Sequence, residues 1–140
     1  MKVLVDTPIW SLALRRKSRP ENESAKSELA SLIQDGRAAI IGPIRQELLS
    51  GIRESAQFDR LTEHLHAFPD TEIIASDYEQ AASFFNRCRE KGIQGSNTDF
   101  LICAVAVRNE YPIFTTDEDF THFAKVLPIV LRNSGDHPRA

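Results

Sequence analysis

Three consecutive apolar residues, Val3-Leu4-Val5, stand near the start of the chain and run straight into Asp6, Thr7 and Pro8. A β-prone run without polar alternation suits a strand buried on both faces, the habit of parallel sheets covered by helices. Thr7-Pro8 then reads as the cap and first residue of a helix through about Leu14. After a polar loop from Arg15 to Glu23, Ala25, Leu29, Leu32 and Ile33 recur at helical spacing up to a stop at Asp35-Gly36. Ala38 to Ile41 reads as a short strand, and Gly42-Pro43 opens another helix. Phe58, Leu61, Leu65 and Phe68 mark a further helix ended by Pro69, and Glu72-Ile73-Ile74 a weak strand. Asp77 to Arg89 is helical, with Tyr78, Ala81, Ala82 and Phe85 on one face. A loop over Gly92 to Asn97 leads into the most apolar helix of the chain, Asp99 to about Asn109. Pro112 to Phe114 is a strand, Asp117 to about Lys125 a short helix, and Pro128 to Leu131 a last strand. Strands alternating with helices, without a long repeat, predict an α/β fold with a mainly parallel sheet. Such sheets bind ligands beyond the carboxyl ends of their strands.

At 140 residues the chain is expected to form a single domain over residues 1–132, with a loose tail over 133–140. Its net charge of −3 argues against a protein that coats nucleic acid generically, so any RNA contact needs a local basic patch. Arg15-Arg16-Lys17-Ser18-Arg19 is the densest such cluster and could grip phosphates, although a solvated linker is the default reading. The longest strongly apolar run, Phe100 to Val107, is far short of the roughly 20 residues needed to span a bilayer. Met1-Lys2 is followed by no apolar leader, and two cysteines form neither a metal pattern nor a disulfide framework. A reduced, cytoplasmic setting is expected.

Four carboxylates attract attention. Asp6 ends the first strand, and Thr7 beside Pro8 is the better-placed helix cap, which leaves Asp6 without that job. Glu47 falls in register with Ile44, Leu48 and Gly51, which places a carboxylate on an apolar helix face. Burial there is costly unless the group is paired or binds a cation, and Gly51 leaves space beside it. Asp99 sits in the first turn of the apolar helix, after Asn97 and Thr98, either of which can cap. The helix dipole tolerates an anion at that end, which is the bland explanation for it. Asp117 follows a strand, and Thr116 with Asp119 matches a capping box; Asp119 therefore has a structural explanation that Asp117 lacks, and stands in reserve.

Four clustered carboxylates cannot all stay ionised without a counter-charge. Oxygen-only ligands suit Mg²⁺ or Mn²⁺, with water filling the remaining positions. The histidines do not compete: His64, His66, His122 and His137 all read as surface residues.

These residues resemble the PIN-domain nucleases, and more closely the VapC-type toxins of bacterial toxin–antitoxin pairs. The resemblance covers almost the whole chain. It rests on Val3-Leu4-Val5-Asp6-Thr7, on Ile44 to Gly51 with Glu47, on Thr98 to Ala104 with Asp99, and on Ile113 to Phe120 with Asp117. The acids stand 41, 52 and 18 residues apart, in the order and spacing of the family. The resemblance implies a Rossmann-like three-layer α/β/α sandwich, an Mg²⁺- or Mn²⁺-dependent endoribonuclease, a homodimer, and inhibition by a cognate antitoxin. It assigns Asp6, Glu47, Asp99 and Asp117 to catalysis, with Asp6, Asp99 and Asp117 as metal ligands and the first two the principal ones. Carboxylate-held metal can acidify a bound water, orient it towards phosphorus and stabilise the charge that grows there. Thr116 could hydrogen-bond a ligand or simply cap. Arg45 could approach the scissile phosphate or pair with a site acid, and an antitoxin arginine could enter among the acids. Trp10 could face a partner, although core packing is the default.

Two other functions are compatible with parts of this pattern. One is a PIN nuclease of RNA processing that has no antitoxin. The other is a non-catalytic Mg²⁺-binding signalling module, which fits poorly: the first strand ends in no acidic pair, and no lysine stands at a strand end.

Overall fold

The computed structural model describes residues 1–14 and 19–132. The Arg15–Ser18 part of the basic cluster, His137 and the expected tail lie outside those residues. Four short strands, β1 (Val3–Val5), β2 (Ala38–Ala39), β3 (Ile113–Phe114) and β4 (Leu131–Arg132), form one sheet in the order β2-β1-β3-β4. All three pairings are parallel, with Val3 opposite Ala38, Leu4 opposite Ile113 and Ile113 opposite Leu131. Every residue of β1 is fully buried, as its unbroken apolar sequence demands.

Among the described residues, seven α-helices connect the strands: α1 (Thr7–Ala13), α2 (Glu23–Gln34), α3 (Gly42–Leu49), α4 (Ser55–Leu65), α5 (Ala75–Glu90), α6 (Asn97–Asn109) and α7 (Asp119–Phe123). The chain moves from β1 to β2 in one direction and from β2 to β3 and β4 in the other. Right-handed crossovers then place the first helices and the later ones on opposite faces, giving the α/β/α sandwich. Arg132 of β4 bonds Glu28 of α2 at 2.6 Å, while the rings of Phe100 and Phe123, 4.8 Å apart, join α6 to α7.

Several local expectations need correction. The strand expected over Glu72 to Ile74 does not form; a single parallel bridge pairs Ile40 with Asp70, and Thr71 N–H donates to the Ile40 carbonyl at 2.8 Å. The last strand begins at Leu131, not Pro128, and α7 begins at Asp119, not Asp117. On α5 the buried face is Asp77, Ala81, Phe84 and Cys88, leaving Tyr78 57% exposed. Arg45 meets no site acid: its guanidinium pairs with Asp70 at 2.9 Å and donates to the carbonyls of Leu65 and Phe68, which locks α3 onto the end of α4. The default reading of Trp10 holds: it belongs to the core, with Nε1–H donating to the Val5 carbonyl at 2.9 Å and the ring edge-on to Phe68. Cys88 and Cys103 are buried free thiols, both pushed up by burial.

Asp77 can lie on the buried face because α6 answers it. Arg108 reaches it through Nε (2.7 Å) and Nη2 (2.9 Å), and Ile74 N–H donates to its Oδ2 at the start of α5. Although burial works against the ion, these bonds hold its carboxyl below the ordinary 3.8. Asp77→Asn is expected to cost about 1–2 kcal/mol in a denaturant melt. The sign with pH follows from linkage. A depressed carboxyl stabilises fully above 3.8 and loses that contribution as pH falls through its folded value, so the gap between wild type and variant closes only below about pH 4.

Candidate active site

The reversal of direction in the sheet lies between β1 and β3, and the residues that leave these two strands at their carboxyl ends are Asp6 and Thr115. That crevice is where parallel α/β sheets bind ligands. Asp6 is 5% exposed. Its Oδ1 accepts from Thr7 N–H at 2.8 Å and its Oδ2 from the Thr115 hydroxyl, also at 2.8 Å. Asp6 is thus the N-cap of α1, the role expected of Thr7; Thr7 is already inside the helix. Its hydroxyl donates instead to Glu47 Oε2 at 2.6 Å, which links α3 to the same strand end.

Asp99 arrives from the other direction, at the start of α6. Ser96, not Asn97 or Thr98, is the cap. Its Oγ accepts from Asp99 N–H at 3.0 Å while Asp99 Oδ2 accepts from Ser96 N–H at 3.1 Å, a reciprocal capping box. Asp117 N–H donates to Thr115 Oγ1 at 3.0 Å, and Asp117 Oδ1 accepts from Asp119 N–H at 2.9 Å. The capping box expected between Thr116 and Asp119 therefore does not form; Asp117 opens the last turn, and Thr115 is the threonine that ties it to Asp6.

Three of the four acids lie within electrostatic reach of one another. Burial pushes Asp6 up to about 6 despite its two hydrogen bonds, and the negative charges of Asp99 and Asp117 add to the rise. Asp99 is also raised, first by burial and then by Asp117 and Asp119. Cys103, one turn along α6 from Asp99, is influenced by both Asp99 and Asp6. Glu47 differs from expectation: it is exposed, α3 ends before Gly51, and only the Thr7 bond carries it to the rim. His64, His66 and His122 are exposed on their helices.

Among the described residues, no ion pair involves Asp6, Asp99 or Asp117, and no three His, Cys, Asp or Glu side chains stand close enough together to hold an ion. Asp99 has one oxygen turned back to Ser96, and Asp6 spends one lone pair on each of its two donors. A carboxylate offers about four acceptor sites, so both retain free ones. Mg²⁺ commonly takes one or two carboxylates and completes its shell with water. The donor set fits: two crowded, desolvated oxygen acids with no protein cation between them. Thr115 and Ser96 were the residues hardest to single out from sequence. Yet Ser96-Asn97-Thr98-Asp99 spells a capping box, and Thr115 follows β3 as Asp6 follows β1.

Thr115→Val should strip a donor from buried Asp6 and cost about 1–2 kcal/mol, with Thr115→Ser restoring most of it; thermal melts of the three proteins measure this.

A parallel α/β sandwich with acids gathered at its switch point defines a class before any comparison is made. The family model for the PIN domain matches residues 3–126, and the chain belongs to that family. PIN domains are generally nucleases and generally use divalent metal ions. No curated protein matches the chain. Its fold is shared with VapBC2 from Rickettsia felis bound to a promoter DNA fragment (TM-score 0.76, 19% identity, 95% of this chain and 98% of that one). A toxin–antitoxin complex from Klebsiella pneumoniae is similar (0.65, 20%, 92% and 96%), as is VapBC-1 from nontypeable Haemophilus influenzae (0.72, 14%, 97% and 100%).

Proposed function

We propose that the chain is the toxin of a toxin–antitoxin pair, an endoribonuclease that depends on Mg²⁺ or Mn²⁺. The carrying observation is the electrostatic coupling at the β1–β3 switch point, where Asp99 and Asp117 raise the proton affinity of Asp6, Asp117 raises that of Asp99, and no cation among the described residues pairs with them. The toxin–antitoxin complex among the structures with this fold supports the biological setting.

Asp6 and Asp99 would hold the ion, with Asp117 beside them. Once bound, a divalent ion supplies Lewis-acid chemistry: a more acidic water and positive charge against the phosphate. The protein's own part is positional. Thr7 N–H and the Thr115 hydroxyl fix the plane of the Asp6 carboxylate, and Ser96 fixes Asp99. Thr115 couples two acids at once, donating to Asp6 while accepting from Asp117 N–H. Glu47, held by the Thr7 hydroxyl, places a proton acceptor at the rim. A cognate antitoxin would cover the acids, and an arginine from it could supply their missing counter-charge. A cavity of about 410 Å³ along α5 and α6, with exposed Tyr78 beside Ala82 and Leu101, offers surface for a second copy.

Growth on induction and RNA cleavage by the purified chain test this reading. Wild type should arrest growth and cut RNA when Mg²⁺ or Mn²⁺ is added; Asp99→Asn should do neither. An inert wild type, with structured RNAs left intact, would falsify it.

A further inference from the structure

The turn between α5 and α6 carries a second cluster that the acidic site does not use. α5 closes on Arg87 and Arg89, Lys91 follows, and Glu90 is the only acid among them, in a chain of net charge −3. α5 packs along α6 and the two are joined by residues 91–96 alone, so these cations lie at the end of α6 that bears Asp99. Inside the turn is a cavity of about 230 Å³ lined by Phe85, Arg89, Ile93, Gln94, Gly95 and Phe100. Pockets for drug-sized ligands run to about 300–1,000 Å³, so this one suits a single flat ring system.

Its chemistry is specific. Arg89 stands over the Phe85 ring, 5.7 Å from the centroid, and its other bond is a long surface contact of 3.3 Å to Asn86 Oδ1. Gln94 is exposed, and among the described residues its side-chain amide has no protein partner. The wall is continuous with the acidic site, since Gly95 precedes the Ser96 that caps Asp99, and Phe100 follows Asp99.

We infer that this cavity is a nucleobase subsite for single-stranded RNA, an inference that rests on the nuclease reading and places a base contact beside its acidic site. A base presents its π-face to the Arg89 guanidinium, which lies over Phe85, and a donor–acceptor edge to Gln94. Unpaired RNA can turn a base into such a recess without the cost of unstacking and unpairing a duplex. The Arg89 guanidinium, which pairs with no acid among the described residues, favours an anionic ligand, and the flat Arg89–Phe85 stack favours a base over an acidic peptide.

Amide NMR of the full chain, titrated with the four nucleoside 5′-monophosphates, ribose 5-phosphate and a glutamate-rich peptide, tests the assignment. The nucleotides should shift the Gln94 side-chain and Gly95 backbone resonances saturably, and ribose 5-phosphate should not. Arg89→Ala, an exposed position, should weaken nucleotide binding about fivefold or more while leaving the melting temperature in place. Equal shifts with ribose 5-phosphate, unchanged affinity in Arg89→Ala, or a response to the peptide alone would each overturn the subsite. No cleavage is needed for this readout. A wild type that binds nucleotides here yet cuts no RNA counts against the nuclease reading, and a nuclease whose turn ignores nucleotides counts against the subsite.

Discussion

Asp6→Asn should abolish nuclease activity and, in the metal-free protein at neutral pH, raise stability. Both effects come from one feature, a carboxylate held under protest. Burial and the facing charges of Asp99 and Asp117 move Asp6 from 3.8 to about 6. An ionised Asp6 therefore costs the folded chain about 3 kcal/mol relative to the unfolded one. The direction with pH is opposite to that of Asp77. The folded state holds the Asp6 proton more tightly, so its contribution falls as pH rises from about 4 to 6 and stays low above that. Asparagine keeps the shape and the acceptor for Thr7 N–H but removes the charge, so a gain of about 1–3 kcal/mol is expected at pH 7.5. Stability bought by disarming a strained site is a familiar trade. Mn²⁺ should distinguish the proteins further: at one hundred times its dissociation constant it stabilises a single-site binder by about 2.7 kcal/mol. Wild type should show that rise and Asp6→Asn should not. Activity should fall about a thousandfold or more, the scale of losing one strong electrostatic contributor to a transition state. Melts at pH 4, 6 and 7.5, with and without Mn²⁺, decide the matter; a variant less stable at pH 7.5 and still responsive to Mn²⁺ sinks it.

How far the sequence led depends on whether the controlling interaction was local. β1 and α6 were legible because an unbroken apolar run has few other places to go, and Asp6 and Asp99 followed from their positions at the ends of those elements. The α5 face was not. Two overlapping stripes, Tyr78-Ala81-Ala82-Phe85 and Ala81-Phe84-Cys88, are both apolar enough to bury, and Asp77 argues against the second. What reverses that preference is Arg108, 31 residues away on another helix. Glu47 failed for a related reason. Spacing places it near Ile44 and Leu48, yet α3 is rotated so that these two point inward and Glu47 stays exposed, tethered only by Thr7 from a distant element. Arg45 likewise found Asp70 and two carbonyls at the end of α4, a set of acceptors created by the fold. The caps were a different kind of miss, since the Ser96–Asp99 pattern was present and local; the competing candidates Asn97 and Thr98 obscured it.

The largest stability effect is expected where α6, α7 and the 91–96 turn meet. Phe123 is fully buried, with its ring 4.8 Å from Phe100 and 5.1 Å from Phe120. Phe123→Ala should cost about 3–5 kcal/mol, because the transfer term and the void add. Gly95 lies against the same ring: a Cβ there would come 2.5 Å from Phe123 Cζ and 3.0 Å from two Phe100 ring atoms. Gly95→Ala is therefore an overpacking substitution, worth about 1–3 kcal/mol on its own. One change removes atoms that the other collides with, so the two should not add. In the Phe123→Ala background the new methyl group enters the vacated space, and the double variant should be more stable than the separate costs predict by about 0.5–2 kcal/mol. Urea melts of the four proteins measure the coupling directly. Strict additivity would mean that the turn yields to the methyl group by moving as a whole, and then Asp99, four residues along from Gly95, should shift with it and Mn²⁺ binding should weaken in Gly95→Ala alone.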